Sequence, residues 1–226
     1  MSRLPGSQSQ VIHGSNGSAS SRGSQYAQAA AGSFRPRFQH AFDSTLGWIA
    51  FQGTDRGMTA LTFGHSSRQD AVDRLRFESS WRFPNLESDQ LASAAPALED
   101  PQPEWVLQAE QLLRAYADGE PVDLSTIPCD VPAKTRFEER VREQLAHVGY
   151  GRTITYGQLA EAAGAPRAAR AVGSVMSRNP IPLVIACHRV LASNGKLGGY
   201  SAPTGLEMKE RLLQLERTGL AQPLRS

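Results

Sequence analysis

The sequence of 226 residues contains only two cysteines, Cys129 and Cys187, and no long uncharged apolar run. Two cysteines exclude a disulfide framework and a four-cysteine zinc site. A membrane helix needs about 18 consecutive apolar residues, and no stretch of this chain approaches that length. Residues 1–14 also lack the apolar core of a secretory signal. We therefore predict a cytoplasmic protein that has no disulfides and makes no contact with a membrane.

Net charge is small, at +2, but it is unevenly distributed along the chain. Residues 134–226 carry 14 Lys and Arg against seven Glu, whereas residues 1–133 carry 10 basic and 15 acidic side chains. Residues 151–200 are the densest basic part. A surface that faces phosphates needs such an excess, but a solvated basic face without a partner has the same composition. Charge alone leaves both interpretations open.

The composition divides the chain into three parts. Residues 1–38, with nine Ser and five Gly, predict a disordered tail. Residues 39–125 predict a small α/β domain, because strand-like runs at 46–52 and 58–63 flank a hairpin turn. Residues 134–220 predict a second, mostly helical domain. Further elements of the first domain are predicted as helices at 67–77, 85–92 and 104–117 and an edge strand at 122–124.

Helix signals in the second domain are strong. Thr135 and Glu138 form a predicted capping box ahead of an apolar stripe that includes Val141. A second box, 155–158, begins a short helix that Gly164 ends. Pro166 suits the first turn of a following helix that runs to residue 176. Two short helices joined by a Gly turn match a helix-turn-helix, although many such pairs bind nothing.

The second of these helices is rich in small residues. Arg167 and Arg170 are its long side chains, among Ala168, Ala169, Ala171, Gly173 and Ser174. A helix with small side chains lets its backbone approach either a neighbouring helix or a nucleic-acid groove. Packing against a neighbour explains the alanines, but it does not explain two arginines one turn apart.

Cys187 and His188 follow an apolar run, 181–186, that predicts a buried strand or extended segment. A buried cysteine is commonly an inert core residue. A thiol becomes a nucleophile only as thiolate, however, and an imidazole is the common group that takes its proton. Glu216, on a predicted terminal helix at 206–217, is a candidate to orient that imidazole.

These residues carry a family resemblance. The chain resembles the O6-alkylguanine-DNA alkyltransferases, or methylated-DNA–protein-cysteine methyltransferases, around the active site at 179–190 (NPIPLVIACHRV), 198–201 (GGYS) and 209–213 (KERLL). The likeness continues upstream through 170–176 (RAVGSVM), 156–160 (YGQLA) and 137–151, and faintly to 45–50 (TLGWIA). It covers residues 40–220 in all.

The resemblance implies an α/β (α+β) fold, with a ribonuclease H-like N-terminal domain and a helical winged helix-turn-helix catalytic domain. It implies a monomer that binds double-stranded DNA through the minor groove and flips the alkylated guanine out of the stack. The reaction implied is the irreversible transfer of an alkyl (methyl) group from O6-alkylguanine, and from O4-alkylthymine, to Cys187. The resemblance further implies that no cofactor takes part and that each molecule acts once.

The resemblance also implies roles for individual residues. Cys187 is the acceptor, His188 its base through a bridging water, Glu216 the orienting carboxylate and Tyr156 the proton source for the departing guanine. Asn179 braces the turn before the nucleophile. Arg170 fills the space that the flipped base leaves, and the other DNA-binding residues are Arg167, Arg178 and Ala169. The guanine pocket is formed by Met176, Val190, Tyr200 and Ser201.

Three features depart from the family pattern. Ala186 stands where the family has Pro, which loosens the backbone without removing a reacting group. The loop at 200–206 is longer than the common form, so the pocket lid differs in shape. The first domain lacks the cysteines that bind zinc in some relatives, and no methyl-sensing domain is present. We therefore predict no metal and regard Cys129 as structural.

Three other functions fit parts of the sequence. A non-catalytic alkylguanine-binding protein of the same fold would lack the cysteine, so Cys187 argues against it. A cysteine hydrolase needs an oxyanion hole, and adjacent positions rarely orient a Cys and a His for that chemistry. A winged-helix transcription factor would carry Cys187 incidentally.

Overall fold

The computed structural model describes residues 38–82, 103–200, 202 and 204–221. In these residues two small sheets and six α-helices form a mixed α/β fold, which confirms the predicted class. The strands are β1 (Phe38–Phe42), β2 (Trp48–Thr54), β3 (Gly57–His65), β4 (Ile154–Thr155) and β5 (Val190–Leu191). The helices are α1 (Arg68–Arg82), α2 (Glu104–Ala117), α3 (Arg136–Ala146), α4 (Tyr156–Ala162), α5 (Ala169–Ser177) and α6 (Leu206–Ala221).

The first sheet is antiparallel, in the order β1-β2-β3. Side chains alternate along β2, so Ile49 and Phe51 face the main core, while Ala50 packs with Leu75 of α1 on the opposite face. The predicted hairpin is confirmed, whereas β1 was not predicted. The predicted tail, apart from Phe38, and the predicted helix at 85–92 lie outside the described residues.

The main core joins the sheet to helices from both parts of the chain. Helix α2 has the predicted bounds and buries Trp105 and Tyr116 against it. The predicted edge strand at 122–124 is wrong, because the Asp123 carboxylate accepts from the Ser125 N–H and begins a 3-10 turn, Leu124–Thr126. The chain meets β3 slightly later, where Met58 exchanges backbone hydrogen bonds with residues 128 and 130.

Local caps set the helices of residues 134–177. Thr135 Oγ1 accepts from the Glu138 N–H at 3.1 Å and begins α3, but the Glu138 carboxylate bonds the preceding Lys134 N–H and Arg142 instead of completing a box. The second predicted box, at the start of α4, is confirmed in full. Gly164, at φ +71°, ends the turn after α4, as predicted.

Two predicted segments adopt other structures. Helix α5 begins at Ala169 instead of at Pro166, because Arg167 takes a left-handed conformation at φ +76° that interrupts any earlier helix. Residues 181–186 form consecutive turns and not a strand. The Ile185 N–H donates to the Ile181 carbonyl at 2.9 Å, and Leu183 has a φ of +72°. These turns lead into a 3-10 turn, Cys187–Arg189, followed by β5, which pairs in parallel with β4.

Within the described ranges, no helix is both long enough and apolar enough to cross a membrane.

Candidate active site

Asn179 shapes the loop that presents Cys187. Its Nδ2 donates to the Ile185 carbonyl at 2.7 Å and to Cys187 Sγ at 3.2 Å, and its Oδ1 accepts from the Ile181 N–H at 3.0 Å. All of these groups are buried, and Cys187 itself is 4% exposed. One amide side chain therefore satisfies the backbone of the turns and contacts the sulfur.

The thiol of Cys187 is protonated at neutral pH. Burial raises its pKa, and this effect outweighs the Asn179 hydrogen bond and the charge of Lys209, both of which favour the thiolate. The buried Tyr200 hydroxyl also lies beside the sulfur. A base must therefore remove the proton before Cys187 can act as a nucleophile.

His188 and Glu216 form a pair that is fully buried, with His188 Nε2 2.7 Å from Glu216 Oε1. Burial by itself raises the pKa of Glu216, but hydrogen bonds and charges of His188 and Arg189 lower it to about 2. An ionised carboxylate only accepts hydrogen bonds, so Nε2 carries the imidazole proton. Nδ1 has no hydrogen-bond partner among the described residues. Burial lowers the pKa of His188, which keeps the ring neutral and Nδ1 ready to accept a proton.

Three further donors converge on Glu216, none of which the sequence predicted. Arg189 Nε lies 3.1 Å from both carboxylate oxygens and Nη2 lies 2.9 Å from Oε1. The Tyr116 hydroxyl donates to Oε1 at 2.8 Å and the Gly151 N–H to Oε2 at 2.9 Å. Arg189 is one of the basic residues of the segment 151–200, but it is buried and paired with Glu216. Tyr116 belongs to an apolar helix stripe, so nothing local marks it as a partner of Glu216.

A cavity of about 370 Å³ opens beside Cys187, within the usual size range of ligand pockets. Of the predicted pocket residues, Met176 and Tyr200 line it, whereas Val190 is fully buried and its carbonyl accepts from Lys209 Nζ. Ser201 lies outside the described residues. The remaining lining residues are Tyr156, Gly173, Ser177 and Gly199.

Tyr156 lines the cavity beside the thiol, and the Lys209 ammonium lies over the Tyr156 ring. Tyr156 is the first residue of α4 and half-buried, and burial, together with repulsion from Cys187 when that residue is a thiolate, raises the pKa of its phenol. Lys209 is fully buried, donates to the Val190 and Leu197 carbonyls, and has Nζ 5.9 Å from the Tyr156 ring centroid. The sequence assigned Lys209 no role.

Helix α5 connects the cavity to an exposed basic surface. Gly173 and Met176 line the cavity, and Arg170 lies one turn before Gly173 on the same helix face. Arg170 is exposed, as are Arg167 and Arg178 at the two ends of the helix, whereas Ala169 is half-buried. Two of the four predicted DNA-binding residues therefore lie on α5, and the other two lie within two residues of its ends.

Metal-ligating side chains do not cluster in the described ranges: no group of three or more His, Cys, Asp or Glu could hold an ion there. Cys129 is buried, its thiol donates to the Ile127 carbonyl, and burial raises its pKa to about 12. It is therefore far less reactive than a cysteine that faces a base.

Comparison with known proteins extends these observations. A family model described as 6-O-methylguanine DNA methyltransferase, DNA binding domain, matches residues 136–218. A methylated-DNA–protein-cysteine methyltransferase of Methanosarcina barkeri is 44% identical over 180 residues, which cover 79% of this chain and 96% of the relative. Its counterpart from Methanosarcina acetivorans is 34% identical over 176 residues, covering 77% and 95%. The solved structure of Mycobacterium tuberculosis OGT in complex with DNA is 28% identical, with a TM-score of 0.55, over 80% of this chain and 94% of its own.

Proposed function

The chain belongs to the methylated-DNA–protein-cysteine methyltransferase family, and from that premise we propose that it repairs DNA by moving an alkyl group from O6 of guanine to Cys187. The observation that carries the proposal is the placement of Cys187 on a cavity wall, next to the His188–Glu216 pair. O4-alkylthymine is a second proposed substrate, since it presents the same alkyl–oxygen bond. We also propose that the protein is cytoplasmic, acts as a monomer and needs no cofactor.

His188 is the proposed base. Its Nδ1 takes the Cys187 proton through a bridging water molecule, and the resulting imidazolium is stabilised by Glu216, which stays ionised beside Arg189. The positive charge of Lys209 and the Asn179 amide favour the thiolate that forms. These groups offset part of the cost of producing an anion in a buried site.

The proposed transfer is a single displacement. Cys187 Sγ attacks the alkyl carbon, a sulfur–carbon bond forms, and the bond between that carbon and guanine O6 breaks. The guanine leaves with the proton of the Tyr156 phenol, and the phenolate then recovers, through solvent, the proton held by His188. In sum, the thiol proton ends on guanine and the alkyl group on sulfur.

The product of this step is a thioether, which does not hydrolyse under ordinary conditions. Cys129, the other cysteine, is buried and has a pKa of about 12, so it offers no thiolate to regenerate Cys187. Each molecule therefore acts once and is consumed.

Helices α4 and α5 form the proposed recognition unit of a winged helix-turn-helix, with the three-stranded sheet in a ribonuclease H-like N-terminal domain. Small residues on α5 let it enter the minor groove of double-stranded DNA, and Arg170 fills the space left by the flipped alkylguanine. Arg167 and Arg178 contact phosphates, while Ala169 permits close approach. The flipped base enters the cavity against Met176 and Tyr200, with Ser201 in the adjoining loop.

Transfer of a radiolabelled methyl group tests the function. The protein is incubated with duplex DNA that carries labelled O6-methylguanine and is then digested and analysed by mass spectrometry. We expect stoichiometric label on Cys187, no label in Cys187→Ala, and duplex affinity within about twofold of wild type, because the groove contacts lie on α5. Cys129→Ala is the matched control and should accept the label as wild type does. Label on Cys129, or on neither cysteine, would overturn the proposal.

A further inference from the structure

The His188–Glu216 pair contacts a phenol from the N-terminal part of the chain. Tyr116, near the end of α2, is fully buried, and its hydroxyl donates to Glu216 Oε1 at 2.8 Å. The Tyr116 hydroxyl oxygen also lies 3.2 Å from His188 Nε2, and the Tyr116 and His188 rings meet edge to face with centroids 6.3 Å apart. Tyr116 lies outside the matched DNA-binding domain at 136–218.

We propose that Tyr116 is a positioning residue for the transfer reaction, which holds Glu216 and His188 in the arrangement that leaves His188 Nδ1 ready to accept the thiol proton. This inference rests on the proposed function, since it assigns His188 the role of base.

Hydrogen-bond direction supports the proposal. The Tyr116 proton points to Glu216, so a lone pair of its oxygen is available on the side of His188 Nε2. An unprotonated Nε2 would then face the lone pairs of both Tyr116 and Glu216, which is unfavourable. A protonated Nε2 meets two acceptors. The hydroxyl therefore favours the tautomer that carries its proton on Nε2 and leaves Nδ1 as the base.

The hydroxyl also reduces the basicity of Glu216. A carboxylate that accepts a hydrogen bond holds a proton less strongly, so the shared proton stays on the imidazole. Burial and the charge of Glu216 raise the pKa of Tyr116 well above its ordinary value, so the phenol remains a donor at any working pH. The charged and titratable groups around this cluster are Arg189, Lys209, Cys187, Tyr150 and Tyr200.

Replacing Tyr116 by Phe removes the hydroxyl and keeps the ring. In Tyr116→Phe we expect single-turnover methyl transfer to slow about tenfold at pH 7, at the low end of what a positioned proton acceptor contributes. Glu216 becomes more basic without its donor at 2.8 Å and stabilises the imidazolium more strongly, and this effect outweighs the loss of the longer Tyr116 contact to Nε2 at 3.2 Å. The pKa of His188 therefore rises, and the acidic limb of the pH–rate profile shifts to higher pH.

Tyr150→Phe is the matched control. The Tyr150 ring packs against Tyr116 at 5.8 Å, but its hydroxyl donates to the backbone carbonyl of Gly119 at 3.0 Å and not to the carboxylate. This variant should lose stability in urea unfolding and keep the wild-type pH–rate midpoint. Both variants should bind the methylated duplex like wild type.

Three results would overturn the role of Tyr116: an unchanged rate in Tyr116→Phe, a slower rate with the wild-type pH midpoint, or the same midpoint shift in Tyr150→Phe. A wild-type protein that transfers no label would overturn the proposed function instead. NMR titration of the His188 ring in both variants separates the two failures, because it reports the effect of the hydroxyl on the imidazole without requiring transfer.

Discussion

Glu216 shows how one residue can remain charged although it is fully buried. Burying an ionised carboxylate is costly unless hydrogen bonds replace its hydration. Here the side chains of His188, Arg189 and Tyr116 and the Gly151 N–H all donate to it. Loss of the charge would leave Arg189 as a buried cation without its partner, so Glu216 supports the fold as well as the proposed base.

The variant Glu216→Gln tests whether Glu216 supports His188 as the proposed base. A neutral amide cannot stabilise an imidazolium as a carboxylate does, so single-turnover transfer should slow by a factor of order 10 to 10⁴. Duplex affinity should not change, because Glu216 is fully buried and offers DNA no contact. Glu210→Gln, an exposed position on the same helix, is the control and should react like wild type. An unchanged rate in Glu216→Gln would show that His188 works without it.

For single residues of the site, the sequence predicted those that lie close together in the chain or that match the family motif. The Cys187–His188 dipeptide is visible directly, and Glu216 follows from the resemblance. Tyr116 could not be predicted, because its apolar helix stripe explains it completely and its partner is 100 positions away. The role of Arg189 could not be predicted for the same reason: its pairing with Glu216 depends on tertiary structure.

Among the elements, α5 combines two properties that composition alone left unresolved. Its buried residues pack into the core, while Arg170 and Gly173 follow the face that reaches the cavity. A Cβ on Gly173 would meet no atom within 4 Å, so this face is open. One side of α5 can therefore pack into the core while the opposite side remains free for the proposed contact with a DNA groove.

The variant Arg170→Ala tests the proposed base-flipping role. Unstacking a base costs a few kcal/mol, so a side chain that fills the vacated space should matter only where a stack exists. Transfer from methylated duplex should fall much more than transfer from free O6-methylguanine. Arg178→Ala is the control and should weaken binding to all duplexes and lower the salt dependence. Equal losses on duplex and free base would mean that Arg170 supports the fold or the pocket.

Elements marked by standard capping residues were predicted well, and those shaped by a side chain bonded to the backbone or by an unusual backbone angle were not. Thr155 and Gln158 form their capping box within four residues, so sequence is sufficient there. The run at 181–186 has the composition of a strand, but the Asn179 side chain bonds its backbone and Leu183 adopts a positive φ. Periodicity carries no information about either effect.

Across the whole molecule, the N-terminal sheet and the C-terminal helices are tied by specific contacts. The Leu61 N–H of β3 donates to the Pro180 carbonyl at 2.9 Å, just before the loop that carries Cys187. Helix α6 approaches the end of α2 so closely that a Cβ on Gly219 would lie 2.1 Å from the Gly119 carbonyl oxygen. Only glycine fits at that contact.

Acid stability should report the buried carboxylate. The pKa of Glu216 is about 2 in the folded protein, against an ordinary 4.5. The ionised carboxylate therefore contributes about 3 kcal/mol to the free energy of unfolding. This contribution is complete above pH 4.5 and is lost as pH falls toward 2. Urea unfolding at several pH values should show stability falling more steeply in wild type than in Glu216→Gln across this range, with Glu210→Gln following wild type. Parallel slopes in all three proteins would contradict the depressed pKa.

The hydrogen bond between Tyr116 and Glu216 limits how this protein can recombine with others. A chimera joined at residues 118–134 would inherit every motif around Cys187 and yet take its phenol, or lack of one, from the foreign partner. Whether the two parts of such a chimera fit together then depends on the Tyr116 hydroxyl and on Gly219, where helix α6 meets the end of α2.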